Sequence, residues 1–154
     1  MEFPPDELAG IVDVFGALER PTLRRACVEL AFKQGEDREP ESFDAAIDDA
    51  VESYHLLALE ESGTELLVPG PVAFPTLPEG ARDLPHILEA EERTPDRQRL
   101  AEAAEQRFRD DAAAAIAADD REWIADLLDV SYELEVWAPV ELSGARTRLD
   151  EALQ

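Results

Sequence analysis

The spacing of the apolar residues changes part-way along the chain, and this change limits the fold more than any other feature. Over the first third of the chain, apolar side chains recur every three or four positions, which is typical of helices that bury one face. The spacing predicts three helices, at 6–18, 21–34 and 42–54. Beyond them the apolar residues form two short runs, Leu56–Glu60 and Thr64–Val68, around a glycine-containing turn. These runs predict a β-hairpin.

Residues that cap helices predict where several helices begin. Asp6 follows two prolines and Ser42 precedes an apolar stripe, so we expect these side chains to cap the first and third helices. Thr94, followed by a proline, predicts the start of a long C-terminal helix. Asp120 predicts the start of a second C-terminal helix, and Ser143 that of a short last one.

The resulting fold class is mainly α, of the α+β type. An N-terminal unit of three helices plus a β-hairpin has the element order of a winged helix, and a C-terminal helical half follows it. The predicted domains are a winged-helix-like unit at 1–68, a connecting segment at 69–93 and a helical subdomain at 94–154 that shares the core. On the C-terminal helices, Trp123 and Trp137 are expected on the buried side.

The connecting segment is rich in both proline and apolar residues. The stretch Leu66–Leu88 holds five of the chain's eleven prolines, yet flexible linkers are rich in glycine, serine or polar residues. Proline lowers the entropy lost on ordering, so this stretch can lie extended on a core. We therefore predict an ordered strap with a short helix at 69–93, anchored by inward-facing Phe74 and Leu77. If these two side chains were exposed, the prediction of a strap anchored on the core would fail, and the segment would instead be a candidate docking site.

The chain is strongly acidic. It contains 37 Asp and Glu against 14 Lys and Arg, giving a net charge of −23, and Lys33 is its one lysine. Repulsion on this scale strains a small domain at low salt, whereas molar salt shortens the Debye length to about 3 Å. This composition favours the cytosol of an organism that accumulates salt. An ordinary acidic protein or a nucleic-acid mimic is the alternative, although the acids are spread along the whole chain rather than gathered in one tail.

Few residues could carry catalysis. Cys27 lies on an apolar helical face, and the two histidines, His55 and His86, are isolated from each other in sequence. The carboxylates lack the spacing of a calcium loop, and no phosphate-binding glycine loop occurs. We therefore predict no catalytic, cofactor-binding or metal-binding residues, no cofactor, and no enzyme activity. An enzyme or ligand-binding protein with a pocket beneath the strap is the third hypothesis.

The N-terminal residues also bear on location. The first ten residues carry acids where a secretion signal needs a basic region and an apolar stretch. No window approaches the roughly 18 apolar residues of a membrane span. The protein is therefore expected to be cytoplasmic, without a membrane partner.

Three segments resemble a family of small acidic haloarchaeal proteins of uncharacterised function. They are "AFKQGED" at 31–37, "LLVPGPVAFPTLPEGARDLPHILEAEER" at 66–93 and "WAPVELS" at 137–143, and the middle segment is the most specific. The resemblance implies a halophilic setting. It implies no catalytic residues.

Nucleic-acid binding through the third helix is disfavoured but stays open. In a winged helix this helix would enter the major groove, where basic side chains neutralise phosphates. Its outward positions are acidic, and they are Asp44, Asp48, Asp49 and Glu52. A winged-helix DNA-binding transcriptional regulator is therefore the second hypothesis, and it would contact DNA through the wing, through arginines of the second helix or through a dimer surface.

The leading hypothesis is a non-enzymatic protein-interaction or regulatory module of a halophile's cytoplasm. Its partner is an unknown protein or a second copy of the chain. The candidate partner surface combines arginines of the second helix with the strap, and its residues are Arg20, Arg24, Arg25, Phe74 and Leu77.

Overall fold

A computed structural model describes residues 2–154. The chain divides into two compact units, with the boundary between Pro95 and Asp96. The first unit contains α1 (Pro5–Phe15), α2 (Arg20–Lys33), α3 (Asp44–Glu52), β1 (Leu56–Glu61), β2 (Thr64–Pro69) and α4 (Leu84–Ile87). The second contains α5 (Arg97–Ala118), α6 (Arg121–Trp137) and α7 (Ser143–Leu153). Short 3-10 turns, Pro40–Phe43 and Ala81–Asp83, precede α3 and α4. The predicted class, mainly helical α+β with a hairpin after the N-terminal helices, is confirmed.

The core of the first unit is formed by one face each of α1, α2 and α3. Helices α1 and α2 bury the stripes that their spacing predicts, whereas Ala46 and Val51 of the α3 stripe are only partly buried. Complete burial of one Leu or Phe side chain contributes about 1.5–3 kcal/mol. The buried residues are Leu8, Ile11, Val12 and Phe15 from α1, Leu23, Ala26, Cys27, Leu30 and Ala31 from α2, and Phe43, Ile47 and Ala50 from α3 and its preceding turn. Apolar residues spaced three and four positions apart therefore form the faces through which these helices pack.

The two predicted caps of the first unit are wrong. Helix α1 begins at Pro5, with Pro4 at the N-cap position, so Asp6 lies inside the first turn. Proline is well suited to this place, because its missing N–H has no partner within a first helical turn. Ser42 lies in the 3-10 turn before α3, where its hydroxyl donates to the carbonyl of Glu39 at 2.7 Å. Both polar side chains are therefore available for contacts other than capping.

The β-hairpin closes through a two-residue turn. Ser62 and Gly63 both have positive φ, 53° and 79°, which matches the right-handed twist of the strands they join. Leu18, between α1 and α2, pairs with Leu67 of β2: each residue's N–H donates to the other's carbonyl, at 3.0 and 2.7 Å. A residue from the α1–α2 connection thus extends the edge of the hairpin at β2.

The second unit is built from α5, α6 and α7. The carboxylate of Asp96 accepts from the N–H groups of Gln98 and Arg99, so α5 begins later than the predicted Thr94. Asp120 caps α6 as predicted, by accepting from the N–H of Trp123 at 3.1 Å. An aspartate at the N-cap satisfies a backbone donor that the helix leaves unpaired. Whether the two units share a core, as the sequence suggested, stays a prediction.

The buried face of α6 differs in part from the expected one. Trp123 and Trp137 are only partly buried, because they stand in the first turn and at the last position of the helix. The buried positions of α6 are Ile124, Leu127, Val130, Ser131 and Leu134. None of the helices in the described part of the chain combines the length and the apolar character that crossing a membrane would require.

Candidate functional site

The strap at 69–93 is fixed to α1 through main-chain groups. The N–H of Thr76 donates to the carbonyl of Asp6 at 3.0 Å, and the N–H of Phe74 donates to the Asp6 carboxylate, also at 3.0 Å. The side chain expected to cap α1 therefore binds a segment nearly seventy residues away. The predicted extended path is present, but backbone hydrogen bonds, rather than proline rings alone, hold it.

A glycine in α1 allows the strap to approach closely. A Cβ atom on Gly10 would lie 1.9 Å from the carbonyl oxygen of Thr76. A Cβ does not come so near a non-bonded atom in real proteins, so only glycine fits here, and the strap backbone packs directly on the helix backbone. The third hypothesis requires a pocket beneath the strap, but at this point the backbone contact leaves no space for one. Instead a groove of about 370 Å³ runs beside it, lined by Gly10, Asp13, Val14, Pro75, Leu77 and Arg82.

Both ends of the strap are also held. At its start the N–H of Gly70 donates to the carbonyl of His55 at 2.8 Å, and the N–H of Val72 donates to that of Tyr54 at 3.3 Å. At its end the N–H of Arg93 donates to the carbonyl of Phe15 at 2.7 Å. These bonds tie the strap to α1 and to the residues that precede β1.

The prediction that Phe74 and Leu77 anchor the strap is wrong. Phe74 is 74% exposed and Leu77 is 39% exposed, whereas Ala81 and Leu84 further along are fully buried in the core. The close approach at Gly10 explains the difference, because backbone contact leaves no room for large side chains between the strap and α1. The tip of the strap, residues 74–77, therefore presents apolar side chains to solvent on a fixed backbone.

The arginines of the candidate surface face α3 instead. Arg24 donates from Nε and NH2 to the two carboxylate oxygens of Asp44, at 2.7 and 3.0 Å. Arg20 reaches Asp48 at 2.8 Å and Asp44 at 3.4 Å. The hydrogen bonds from Arg24, then those from Arg20, hold the pKa of Asp44 below its ordinary value, although desolvation opposes this shift. Arg25 is exposed on the same helix.

These pairs change what the second helix can offer to a partner. An arginine that is bidentate on a carboxylate has to lose that partner before it can bind a phosphate. Arg24 is held in this way, and Arg20 bridges Asp44 and Asp48, so two of the three predicted arginines are paired with α3. The structure thus places the predicted site residues in two groups, the paired arginines on α2 and the exposed apolar tip of the strap.

A comparison with protein families assigns the chain. The model of DUF7109, described as a family of unknown function, matches residues 6–154. The chain belongs to this family. No curated protein and no solved structure matches it. The match spans both units, so the strap and the helices on each side of it are parts of the DUF7109 pattern.

The cysteine of this DUF7109 chain is unsuited to nucleophilic work. Cys27 is buried in the core, and burial raises the pKa of its thiol to about 12, against a smaller opposing effect of Arg38. The thiolate is the reactive form of cysteine, and it is scarce at neutral pH when the pKa is so high. Within residues 2–154, no group of three or more His, Cys, Asp or Glu is placed to hold a metal ion.

One polar cluster beside the strap was missed by the sequence reasoning. His55 lies with Nδ1 2.7 Å from the hydroxyl of Ser53 and Nε2 3.7 Å from the carboxylate of Asp6. The signal available in the sequence was weak, because Asp6 is far from His55 along the chain. His86, the other histidine, is exposed on α4.

Proposed function

We propose that this chain is a non-catalytic protein-interaction module with the tip of the strap as its docking surface. The observation that carries the proposal is the exposure of Phe74 on a backbone fixed by two hydrogen bonds to Asp6. A large exposed aromatic side chain on an ordered segment loses little conformational entropy when it is covered. Aromatic residues are also enriched among those that dominate binding energy in interfaces.

The chemistry of the tip indicates the partner. Phe74, Pro75 and Leu77 offer apolar contact, and the groove beside them adds the side chain of Val14. The groove also contains Asp13, and a direct contact with this carboxylate, unlike long-range attraction, persists in high salt and favours basic groups on the partner. The partner segment is therefore apolar at its centre and rich in arginine or lysine at its flanks. Arg82, also on the groove, can pair with an acidic group of such a segment.

The same composition supports a cytoplasm rich in salt as the setting. At molar ionic strength the repulsion among the carboxylates is screened, while apolar contacts persist or strengthen. A docking surface centred on Phe74 suits such conditions better than one built from surface ion pairs. A regulatory role would follow if the bound partner were itself an enzyme or a DNA-binding protein.

Direct DNA binding is the second candidate, and one observation favours it. The bridge between Leu18 and Leu67 adds a third strand position to the hairpin, which supports the resemblance of the first unit to a winged helix. The pairing of Arg20 and Arg24 with α3 counts against it, because phosphate contacts need free basic side chains. Fluorescence anisotropy with genomic DNA fragments, from low to molar salt, tests this candidate. Absence of binding at every salt concentration rejects it.

Affinity capture from a high-salt lysate tests the docking surface. The variants are Phe74→Ser and, as a matched control, Phe32→Ser, since Phe32 is 66% exposed on α2. We expect the wild type and the control to retain the same partner near equal stoichiometry, and the Phe74 variant to lose it at least about tenfold. A photo-crosslinker at position 74 should map to an apolar segment with basic flanks.

Two outcomes of this experiment contradict the proposal. Equal capture by the Phe74 and Phe32 variants would place the interface elsewhere. If none of the three samples retained a stoichiometric partner, a foreign protein partner would be excluded. If the chain were also monomeric in sedimentation, a second copy would be excluded as well.

A further inference from the structure

Two prolines spaced three positions apart lie in and beside the tip of the strap. Residues 73–78 read AFPTLP, with prolines at Pro75 and Pro78, and this segment contains no helix, strand or turn. Proline fixes φ near about −65°, and a residue that precedes a proline is restricted to extended conformations, which here applies to Phe74 and Leu77. Both restrictions favour polyproline II, a left-handed helix with three residues per turn and no internal hydrogen bonds.

The contacts of this segment follow the same period of three. Ala73 packs against the core, and the carbonyl of Thr76, three residues later, lies so close to α1 that only Gly10 fits beneath it. Phe74 and Leu77, also three apart, are both exposed. Residues three apart in polyproline II lie on one side of the helix, about 9 Å from each other along its axis. One side of the segment is therefore fixed to the first unit, and the side that carries Phe74 and Leu77 faces solvent.

The groove beside the tip adds charge to this apolar surface. Pro75 and Leu77 line the groove together with Asp13, whose side chain is exposed. A carboxylate next to apolar contacts favours a basic side chain at the matching place on a partner. The groove also contains Arg82, so the partner needs one basic group at Asp13 rather than a uniformly basic surface.

We propose that the partner binds residues 73–78 as a polyproline II ligand, in a groove lined by aromatic side chains with a basic residue beside it. Flat rings pack well on prolines, and aromatic-lined grooves commonly recognise such segments. The strap already holds the segment in the bound shape, so little conformational entropy is lost on binding. This partner class rests on the proposed function, and it specifies the surface that covers Phe74.

NMR of the isolated chain tests the conformation without any partner. The three-bond coupling between N–H and Hα depends on φ, which is about −75° in polyproline II and about −140° in an antiparallel strand, and it is smaller in the former. We expect the couplings of Phe74 and Leu77 to be smaller than those of Leu57 and Leu59 in β1, which serve as internal references. Strand-like couplings at Phe74 and Leu77 would overturn the proposal, whether or not a partner is found.

Affinity capture from a high-salt lysate, followed by titration of the captured partner, tests the recognition. The variants are Pro75→Ala and Pro78→Ala, and the matched control is Pro139→Ala, since Pro139 is exposed in the second unit. Loss of backbone rigidity alone weakens binding about two- to fivefold per proline. Because the contact of the proline ring is lost as well, we expect each of the two variants to weaken binding at least about tenfold. The control should match the wild type.

Photo-crosslinkers at positions 74 and 77 identify the surface that the partner presents. Both crosslinks should map to one groove that contains aromatic residues. A basic residue of the partner should contact Asp13, so we expect Asp13→Asn to weaken binding about two- to fivefold.

The possible results separate this proposal from the docking function. If Phe74→Ser loses the partner while Pro75→Ala and Pro78→Ala bind as tightly as the wild type, the docking surface stands and polyproline recognition is overturned. Crosslinks to a surface without aromatic residues overturn it as well. If the wild type captures no stoichiometric partner, the docking function itself fails, and the aromatic-lined partner is excluded with it.

Discussion

Arg24 donates two hydrogen bonds to the carboxylate of Asp44 and thereby joins α2 to α3. Such a bidentate pair is stronger than an ordinary surface ion pair because two parallel hydrogen bonds hold the charged groups in a fixed geometry. Its consequence for function is indirect. The pair keeps α3 in place beside the core while it withdraws a basic side chain from any external partner.

The Arg24–Asp44 pair predicts a stability change in acid. The pKa of Asp44 is lower in the folded chain than its ordinary value of 3.8, so its contribution is complete above about pH 4 and is lost as pH falls through the folded pKa. We expect Asp44→Asn to lower the melting temperature at pH 7 and to have a smaller effect near pH 3. Thermal scans of both proteins at the two pH values, in constant molar KCl, measure the difference. If the difference in melting temperature between the wild type and Asp44→Asn were as large near pH 3 as at pH 7, the stabilising role of the ionised Asp44 would be contradicted.

Because of the contact between Gly10 and Thr76, replacing this glycine by alanine should destabilise the protein, the opposite of the usual effect in a helix. Alanine normally stabilises a helix interior by about 1 kcal/mol relative to glycine. In Gly10→Ala, however, the added Cβ would meet the strap backbone, so we expect a net loss of about 1–3 kcal/mol. Gly144→Ala in α7 is the matched control, since an added Cβ there would face open space, and it should be neutral or stabilising. Urea unfolding curves measure both, and a stabilised Gly10→Ala protein would mean that the strap does not press on α1.

Sequence periodicity predicts the first unit well for a physical reason. A helical stripe such as Leu8, Ile11, Val12 and Phe15 reports directly which face is buried, and all four are buried. The turn with Gly63 is likewise readable, because positive φ favours glycine. These features depend on neighbours within a few residues, and so the fold class could be predicted from local pattern.

The strap and its anchoring could not be predicted in the same way. The position of the strap depends on Gly10, which lies in a helix more than sixty residues earlier. A glycine in a helix does not by itself predict that another segment of backbone contacts it. Asp6 offered two uses, as a helix cap or as an acceptor for the strap, and local pattern favours the cap. The pairing of Arg24 with Asp44 likewise needed the relative placement of two helices. Tertiary contacts decide these cases.

Replacing side chains along the strap by alanine should show that its buried residues contribute more to stability than its exposed tip does. Leu84 is fully buried, and a Leu84→Ala change removes core contacts and leaves a cavity, at a cost of about 2–5 kcal/mol. Leu77→Ala, on the exposed tip, should cost less than about 1 kcal/mol. Chemical denaturation of the two variants at one salt concentration compares them. Similar losses would indicate that the tip packs on the core in solution.

The acidic composition predicts that stability depends on salt. The 37 carboxylates and 14 basic groups leave a net charge of −23 on 154 residues, and lowering the ionic strength lengthens the range of their repulsion. We expect the circular dichroism signal at 222 nm to diminish as KCl is lowered from molar to about 10 mM, and to return when salt is restored. Because the effect arises from net charge, a variant with several exposed Glu residues replaced by Gln should keep its helicity to lower salt. An unchanged spectrum of the wild type from molar salt to dilute buffer would show that the carboxylates are tolerated without screening, and the salt-rich setting would then lose its physical support.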